Sequence, residues 1–379
     1  MIDPKDFIDG LRLAGIDFAT GVPDSLLKDI CAYITNSFDK ENHIISTNEG
    51  SALSFAAGYY LSRRKPALVY MQNSGLGNVI NPITSLLHPQ VYGIPAILLI
   101  GWRGEIDERT SIQLKDEPQH KKQGASTEEL LKILDIEYKV INSSTKNIKS
   151  IIRESKEKTL KLQAPVAILV KKNCFSSYKL KENPQNYSLN REEIISNIVK
   201  IIPSNIPIVS TTGMASRELF EIRKKENISH ERDFLTVGGM GHASQIAAGI
   251  AFSRPNSKVL CLDGDGALLM HTGSLAISAD CNNLVHVLLN NEAHDSVGGQ
   301  PTKGRFLKFS EIAKSFGYGT SITVLDSDQL RVAIDNAIES KKSTFIEVKC
   351  NKGNRLDLGR PDRTPKENMI DFMNFLNYE

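Results

Sequence analysis

The sequence lacks the features that mark several specialised protein classes. Its five cysteines, Cys31, Cys174, Cys261, Cys281 and Cys350, form no CxxC pair, and no two stand closer than 20 residues. That scatter argues against a zinc-finger spacing or a disulfide framework and predicts buried small hydrophobes in a reducing compartment. No apolar run approaches the ~18 residues of a membrane span. The opening Met1-Ile2-Asp3-Pro4-Lys5 lacks the basic-then-apolar pattern of a signal peptide, so a cytoplasmic protein without a membrane partner is expected. Neither charge sign dominates, since the net charge is +2 and no acidic or basic block occurs. Nucleic-acid binding needs clustered Lys and Arg and is not expected. An acidic ligand would have to be met by locally placed cations.

What is present is ordinary globular material, 379 residues with 40% apolar and 24% charged. At roughly 100–200 residues per domain this predicts two domains. Asp3-Pro4 reads as an N-cap followed by proline at the first helical position, opening a helix through Leu13 with Phe7, Ile8 and Leu11 inward. Strand-like runs follow at 67–72, 96–100 and 166–170, separated by helical patterns. The polar stretch 176–190 carries Pro184 and no periodicity and reads as a linker. From Arg191 the alternation resumes, with apolar strands expected at 206–210, 234–237, 258–263, 284–290 and 345–349. Near-continuous apolar strands between helices indicate parallel βαβ units covered on both faces. The expected fold is α/β: two doubly wound parallel-sheet domains, 1–178 and 191–379, joined by a linker at 179–190. Ligands in such sheets sit at the carboxyl ends of the strands.

The motifs lie at those ends. Val259–Gly266 reads VLCLDGDG, a buried strand running into Gly264-Asp265-Gly266. Glycine lets a phosphate approach the backbone closely, and a helix beginning near Ala267 would favour an anion there. Asp265 would face that anion with its own charge, a conflict that a Mg²⁺ ion between them resolves. A second strand ends at Asn290-Asn291, 26 residues beyond Asp265, far enough for one helix and a return strand. Its amide oxygen could ligate the same ion. Taken alone, Gly264-Asp265-Gly266 is also compatible with a simple tight turn.

The segment GDGALLMHTGSLAISADCNNLVHVLLNN resembles the thiamin diphosphate signature of the decarboxylase, synthase and oxidase superfamily. The resemblance implies a thiamin diphosphate-binding fold and assigns Asp265, Asn291 and the Ala293 carbonyl to Mg²⁺, with Gly264, Gly266 and Ala267 at the diphosphate. It places Gly239 and Met240 where a bulky apolar residue bends the cofactor, the plainer alternative for Met240 being ordinary core. It places Thr211, Thr212 and Gly213 at the diphosphate or aminopyrimidine. In the first half, His43–Ala57 reads HIISTNEGSALSFAA. The resemblance assigns Glu49 as the acid that activates the pyrimidine, a role needing a partly buried carboxyl with a raised pKa. The plainer alternative is a carboxylate favoured by a helix N-terminus. Asn73 and Gly75, in NSGLGN, match the family's glycine-rich segment beside the cofactor ring. The family also pairs the Glu-bearing domain of one subunit with the diphosphate domain of another, which implies a homo-oligomer with its active site at the subunit interface.

Many relatives carry a central third domain, for which this chain has no room. GVPDSLLK, TNEGSA, GWRGE, DEPQH, NNEAHDSVGGQPT and DLGRPDRTPKENMIDFM resemble the compact branch of phosphonopyruvate decarboxylases, with sulfopyruvate decarboxylases close by. One departure is Glu292, where many relatives have glycine. The implied substrate is a small 2-oxo acid, phosphonopyruvate, whose terminal dianion needs cations and N–H donors. Arg103, Arg109, Lys115, His120, Lys121, Lys122, Lys303 and Arg305 are candidates, and Ser25, Arg103, His120 and Lys303 are favoured. His120 and His294 are the candidate proton movers. Rival readings are a carboligase of the same superfamily and a scaffold subunit that has lost catalysis. The latter should lack Glu49 or Asp265, and both are present.

Overall fold

The computed structural model describes residues 1–107, 110, 112–181 and 184–377. The chain divides into two compact units, Met1–Glu182 and Asn183–Glu379. Each is built on one six-stranded sheet in which every pairing is parallel.

In the first unit the strands are β1 (Ala19–Gly21), β2 (His43–Ile45), β3 (Leu68–Gln72), β4 (Ile97–Gly101), β5 (Glu137–Ile141) and β6 (Val166–Val170), in the order β2-β1-β3-β4-β6-β5. Alternate residues feed opposite faces, so Leu68, Tyr70, Ile97 and Leu99 join one core and Val69, Met71, Leu98 and Ile100 the other. The opening helix spans Pro4–Leu13 as the sequence predicts. Asp3 accepts from the Lys5 N–H at 2.8 Å, and Phe7, Ile8 and Leu11 are fully buried. The chain leaves β1 toward β2 on one side and returns to β3 on the other. The crevice between the β1 and β3 carboxyl ends is therefore the topological switch point, where such sheets bind ligands.

The second unit contains β7 (Ile208–Ser210), β8 (Asp233–Leu235), β9 (Val259–Gly264), β10 (Leu284–Asn290), a small antiparallel pair β11 (Ala293–His294) and β12 (Gln300–Pro301), then β13 (Thr320–Val324) and β14 (Thr344–Lys349). The large sheet runs β13-β14-β10-β9-β7-β8, with its switch point between β7 and β9. The helix Arg191–Ile201 opens on a capping box between Asn190 and Glu193. All five cysteines are buried and unpaired. Among the described residues no helix is long and apolar enough to cross a membrane.

Candidate active site

The first unit gathers its polar residues at the β1, β3 and β4 ends. Asp24, just past β1, is fully buried. It accepts from Gln72 Nε2 at 2.5 Å and from the Leu27 N–H at 3.2 Å. Asn73, just past β3, accepts from the Arg103 N–H at 3.2 Å and donates to the Arg103 carbonyl and to Thr127 Oγ1, both at 2.9 Å. The Arg103 backbone past β4 is thereby locked. Its guanidinium donates from Nη1 to Ser25 Oγ at 2.8 Å and grips Asp116 with two bonds at 2.8 and 2.5 Å. Ser25 and Arg103, two of the expected substrate contacts, are thus brought together. Arg103 is not the free cation the sequence reading implies, because Asp116 already neutralises it. Burial pushes the Asp116 carboxyl up, but Arg103 and the Glu117 and Gly104 N–H groups outweigh this and hold it well below the usual carboxylate range. His120 is buried in the helix Pro118–Ile133. Its basicity is lowered by burial first and by the Arg103 charge second. Arg109 lies outside the described residues.

Glu49 is the first residue of the helix Glu49–Arg63, capped by Asn48, whose side chain accepts from the Ser51 N–H at 2.8 Å. A helix N-terminus favours its anion, yet Glu49 is only 5% exposed, and burial pushes its carboxyl up. Asn78 Nδ2 donates to Glu49 Oε2 at 2.7 Å. Gly75 lies against the same side chain: a Cβ there would stand 2.5 Å from Glu49 Cγ and 2.6 Å from Oε1. Glu49 and the NSGLGN segment therefore form one cluster.

In the second unit the register of β9 with β10 pairs Gly264 with Leu289, so Asp265 and Asn290-Asn291 leave the sheet side by side. The helix after β9 begins at Asp265 itself, two residues before the expected start, with Gly264 as N-cap. Asp265 is 2% exposed, and burial pushes its carboxyl up to about 7. Thr302 Oγ1 donates to its Oδ2. A Cβ on Gly304 would stand 2.6 Å from Asp265 Oδ2 and 2.7 Å from Asn290 Oδ1, so only glycine lets these oxygens converge there. Asn290 is held by its own bonds to Glu347 Oε1 at 2.7 Å and the Gly304 carbonyl at 3.1 Å.

The diphosphate candidates collect around this point. Gly264 faces Thr211 Cγ2, Gly213 faces Ser296, and a Cβ on Gly266 would stand 3.0 Å from the His294 ring. Gly241 abuts the Ala267 carbonyl and Met270, which carries the Gly239-Met240 turn to the same helix. Thr212 and Gly213 are half-buried past β7, where Gly213 (φ +95°) precedes the helix Met214–Lys225. Met240 is half-buried and Ala267 buried. His294 is buried, and burial lowers its pKa to about 4, so it is a neutral imidazole at neutral pH. Lys303 is exposed beside Thr302 and engages no carboxylate among the described residues.

The donor set suits a hard divalent cation. It combines one buried carboxylate that no cation among the described residues neutralises, one amide oxygen and one backbone carbonyl, beside glycines that leave room for a phosphate. The surroundings of Asn291 and Glu292 go beyond the sequence reading. Asn291 Nδ2 donates to Asp295 Oδ2 at 2.7 Å, and Gln185 Nε2 donates to the Asn291 carbonyl at 2.7 Å. Glu292 adopts φ +60°, the left-handed region that favours glycine. Tyr187 donates to its carboxylate at 2.5 Å, and Lys349 Nζ lies 3.8 Å away. Residues 184–190, a plain linker in the sequence reading, therefore hold the loop at Asn291 and Glu292. The signal is faint: one Gln and one Tyr in a stretch without periodicity.

Family comparison agrees with this geometry. Residues 5–129 match the model described as "Thiamine pyrophosphate enzyme, N-terminal TPP binding domain", and residues 209–348 match its C-terminal TPP binding counterpart. A phosphonopyruvate decarboxylase of Streptomyces viridochromogenes is 31% identical, the alignment covering 97% of this chain and 93% of the relative. The chain belongs to the thiamine pyrophosphate enzymes. A second phosphonopyruvate decarboxylase, from Streptomyces hygroscopicus, is 31% identical over 99% of this chain and 94% of its own length. The alpha subunit of a Methanococcus maripaludis sulfopyruvate decarboxylase is 37% identical over 41% of this chain and 87% of the relative. As a thiamine pyrophosphate enzyme, the chain uses thiamin diphosphate, the same compound, as its cofactor.

Proposed function

We propose that this enzyme decarboxylates phosphonopyruvate to phosphonoacetaldehyde and CO₂ without oxidation, as a cytoplasmic homo-oligomer. The observation that carries the catalytic half of this reading is Glu49, a buried carboxyl whose pKa burial raises and which no cation among the described residues faces. The substrate half is supported by the two phosphonopyruvate decarboxylases that span the chain.

When bound, thiamin diphosphate supplies the carbon nucleophile that adds to the 2-oxo carbon and takes up the electron pair left by CO₂. Glu49 would share a proton with the pyrimidine nitrogen, with Asn78 Nδ2 holding its Oε2 and Gly75 leaving room beside its Oε1. Asp265, Asn291 and the Ala293 carbonyl would hold Mg²⁺, and the 211–213 and 264–267 turns would receive the diphosphate. Lys303 is a cation without a competing carboxylate among the described residues and is the first candidate for the phosphonate. Ser25 offers a hydroxyl next to Arg103, which contributes direction more than net charge. His120, its basicity lowered beside them, is the candidate proton mover at the carbon. A second copy completes the site, with Glu49 of one subunit serving the diphosphate unit of another.

The test is CO₂ release from phosphonopyruvate, sulfopyruvate and pyruvate by stripped protein resupplied with thiamin diphosphate and Mg²⁺. Phosphonopyruvate should turn over fastest, and Glu49→Gln or Asp265→Asn should each remove activity. Preference for pyruvate would overturn the substrate assignment, and a carboligation product in place of the aldehyde would overturn the reaction.

A further inference from the structure

We propose that Asp295 is a positioning residue that decides which end of the Asn291 amide faces the cation, and that Arg191 anchors Asp295 for that task. The inference rests on the reading of Asp265 and Asn291 as Mg²⁺ ligands.

An asparagine amide has two faces of opposite use. Its oxygen can bind a cation, its NH₂ cannot, and a half-turn about one bond exchanges them. A carboxylate only accepts hydrogen bonds. Asp295 Oδ2, placed 2.7 Å from the Asn291 amide, therefore requires the NH₂ end toward itself and leaves Oδ1 on the other side, where the Ala293 N–H donates to it at 3.2 Å. A flipped amide would set two oxygens against each other in a buried site.

Asp295 is itself immobilised. The same Oδ2 accepts from Arg191 Nη1 at 2.9 Å and from the Gly353 N–H at 2.8 Å. Arg191 is 5% exposed and is gripped by Glu218, which accepts from Nε at 2.7 Å and from Nη2 at 2.8 Å. Glu218 alone would neutralise this guanidinium. A second buried carboxylate on it leaves surplus negative charge, directed at the amide proposed to hold a cation. Neutralising Arg191 does not account for Asp295, whereas orienting a metal ligand does.

The experiment is Mg²⁺ titration by calorimetry on the full-length protein, saturated with thiamin diphosphate. Asp295→Ala removes the acceptor and lets Asn291 flip, and Mg²⁺ affinity should fall roughly 10- to 100-fold. Asp295→Asn is the conservative control. Arg191 and the Gly353 N–H both donate to the atom that faces Asn291, so they hold the new amide's oxygen at that place, where it still accepts from the Asn291 NH₂. Affinity there should stay within about threefold of wild type. The positioning role is overturned if Asp295→Ala binds Mg²⁺ within about twofold of wild type, or if Asp295→Asn binds as weakly as Asp295→Ala. Should Asp295→Ala not fold, Asp295→Leu, of similar volume and without an acceptor, takes its place and is read the same way. Asn291→Ala separates the two levels. Unchanged Mg²⁺ affinity there would sink the metal reading itself, whereas loss there with wild-type affinity in Asp295→Ala would sink only the relay.

Discussion

At Glu49 the competing demands on one residue are set side by side. The helix N-terminus and the Asn78 hydrogen bond favour the anion, and burial opposes it and wins. In the unfolded chain the same carboxyl titrates near its ordinary value of about 4.3. Between that value and the raised folded one, the folded protein binds the extra proton, so stability falls as pH rises through this window. Cofactor-free Glu49→Gln carries no such penalty. Its melting midpoint should match wild type near pH 4 and exceed it as pH rises through that window, by roughly 2–4 °C per kcal/mol for a unit of this size. Scanning calorimetry across the pH range checks this, and a constant offset would mean that the carboxyl ionises normally. Gly75 gives a second expectation. A Cβ there would overlap Glu49 Cγ at 2.5 Å, so Gly75→Ala should push the carboxyl aside by ~1 Å and lower kcat on the order of 100-fold. Gly77→Ala, which meets nothing within 4 Å, is the matched control and should leave turnover unchanged.

Among the elements, the strands legible in sequence are the central ones. β6 and β10 lie between two other strands and two layers of helices, so they are buried throughout, apolar but for His286 and Asn290, and announce themselves. β5 (EYKVI) and β13 (TSITV) escape the sequence reading because they are sheet edges. Their residues alternate between exposed and half-buried, and polar side chains interrupt the apolar run. The same logic holds at the site. Glu49, Asp265 and Asn291 follow strands at readable spacings. The Asp116 grip on Arg103 and the hold of Gln185, Tyr187 and Arg191 on the loop 291–295 join residues that only folding brings together, up to 107 apart along the chain. The turn at Glu292 shows what this hold contributes. A non-glycine residue at φ +60° costs about 1–2 kcal/mol, and the Tyr187 hydrogen bond to its carboxylate can return about 1.5–3 kcal/mol. Tyr187→Phe should therefore destabilise wild type by about 1–3 kcal/mol in denaturant unfolding and cost almost nothing once Glu292 is replaced by glycine. Equal costs in the two backgrounds would show that Tyr187 acts elsewhere.

For the whole molecule, the decisive matter is which copies share a site. On the proposed reading each unit carries its own half of the chemistry, Glu49 in Met1–Glu182 and Asp265 in Asn183–Glu379. A closed two-fold assembly that matches the first unit of one copy with the second unit of another forms two equivalent sites. Glu49→Gln and Asp265→Asn proteins are each inactive on this reading. In a hybrid of one copy of each, one site receives both altered residues and the other receives both native ones. Hybrids isolated with two different affinity tags should then recover roughly half the turnover of a wild-type dimer. If each chain built its site from its own two units, every site in the hybrid would carry one lesion and no activity would return. The two outcomes differ by the whole signal. The result also bears on Lys303, since a Lys303→Ala lesion in the Glu49→Gln copy falls at the one intact site of the hybrid and should weaken phosphonopyruvate binding there, whereas the same change in the Asp265→Asn copy falls at the dead site and should be silent.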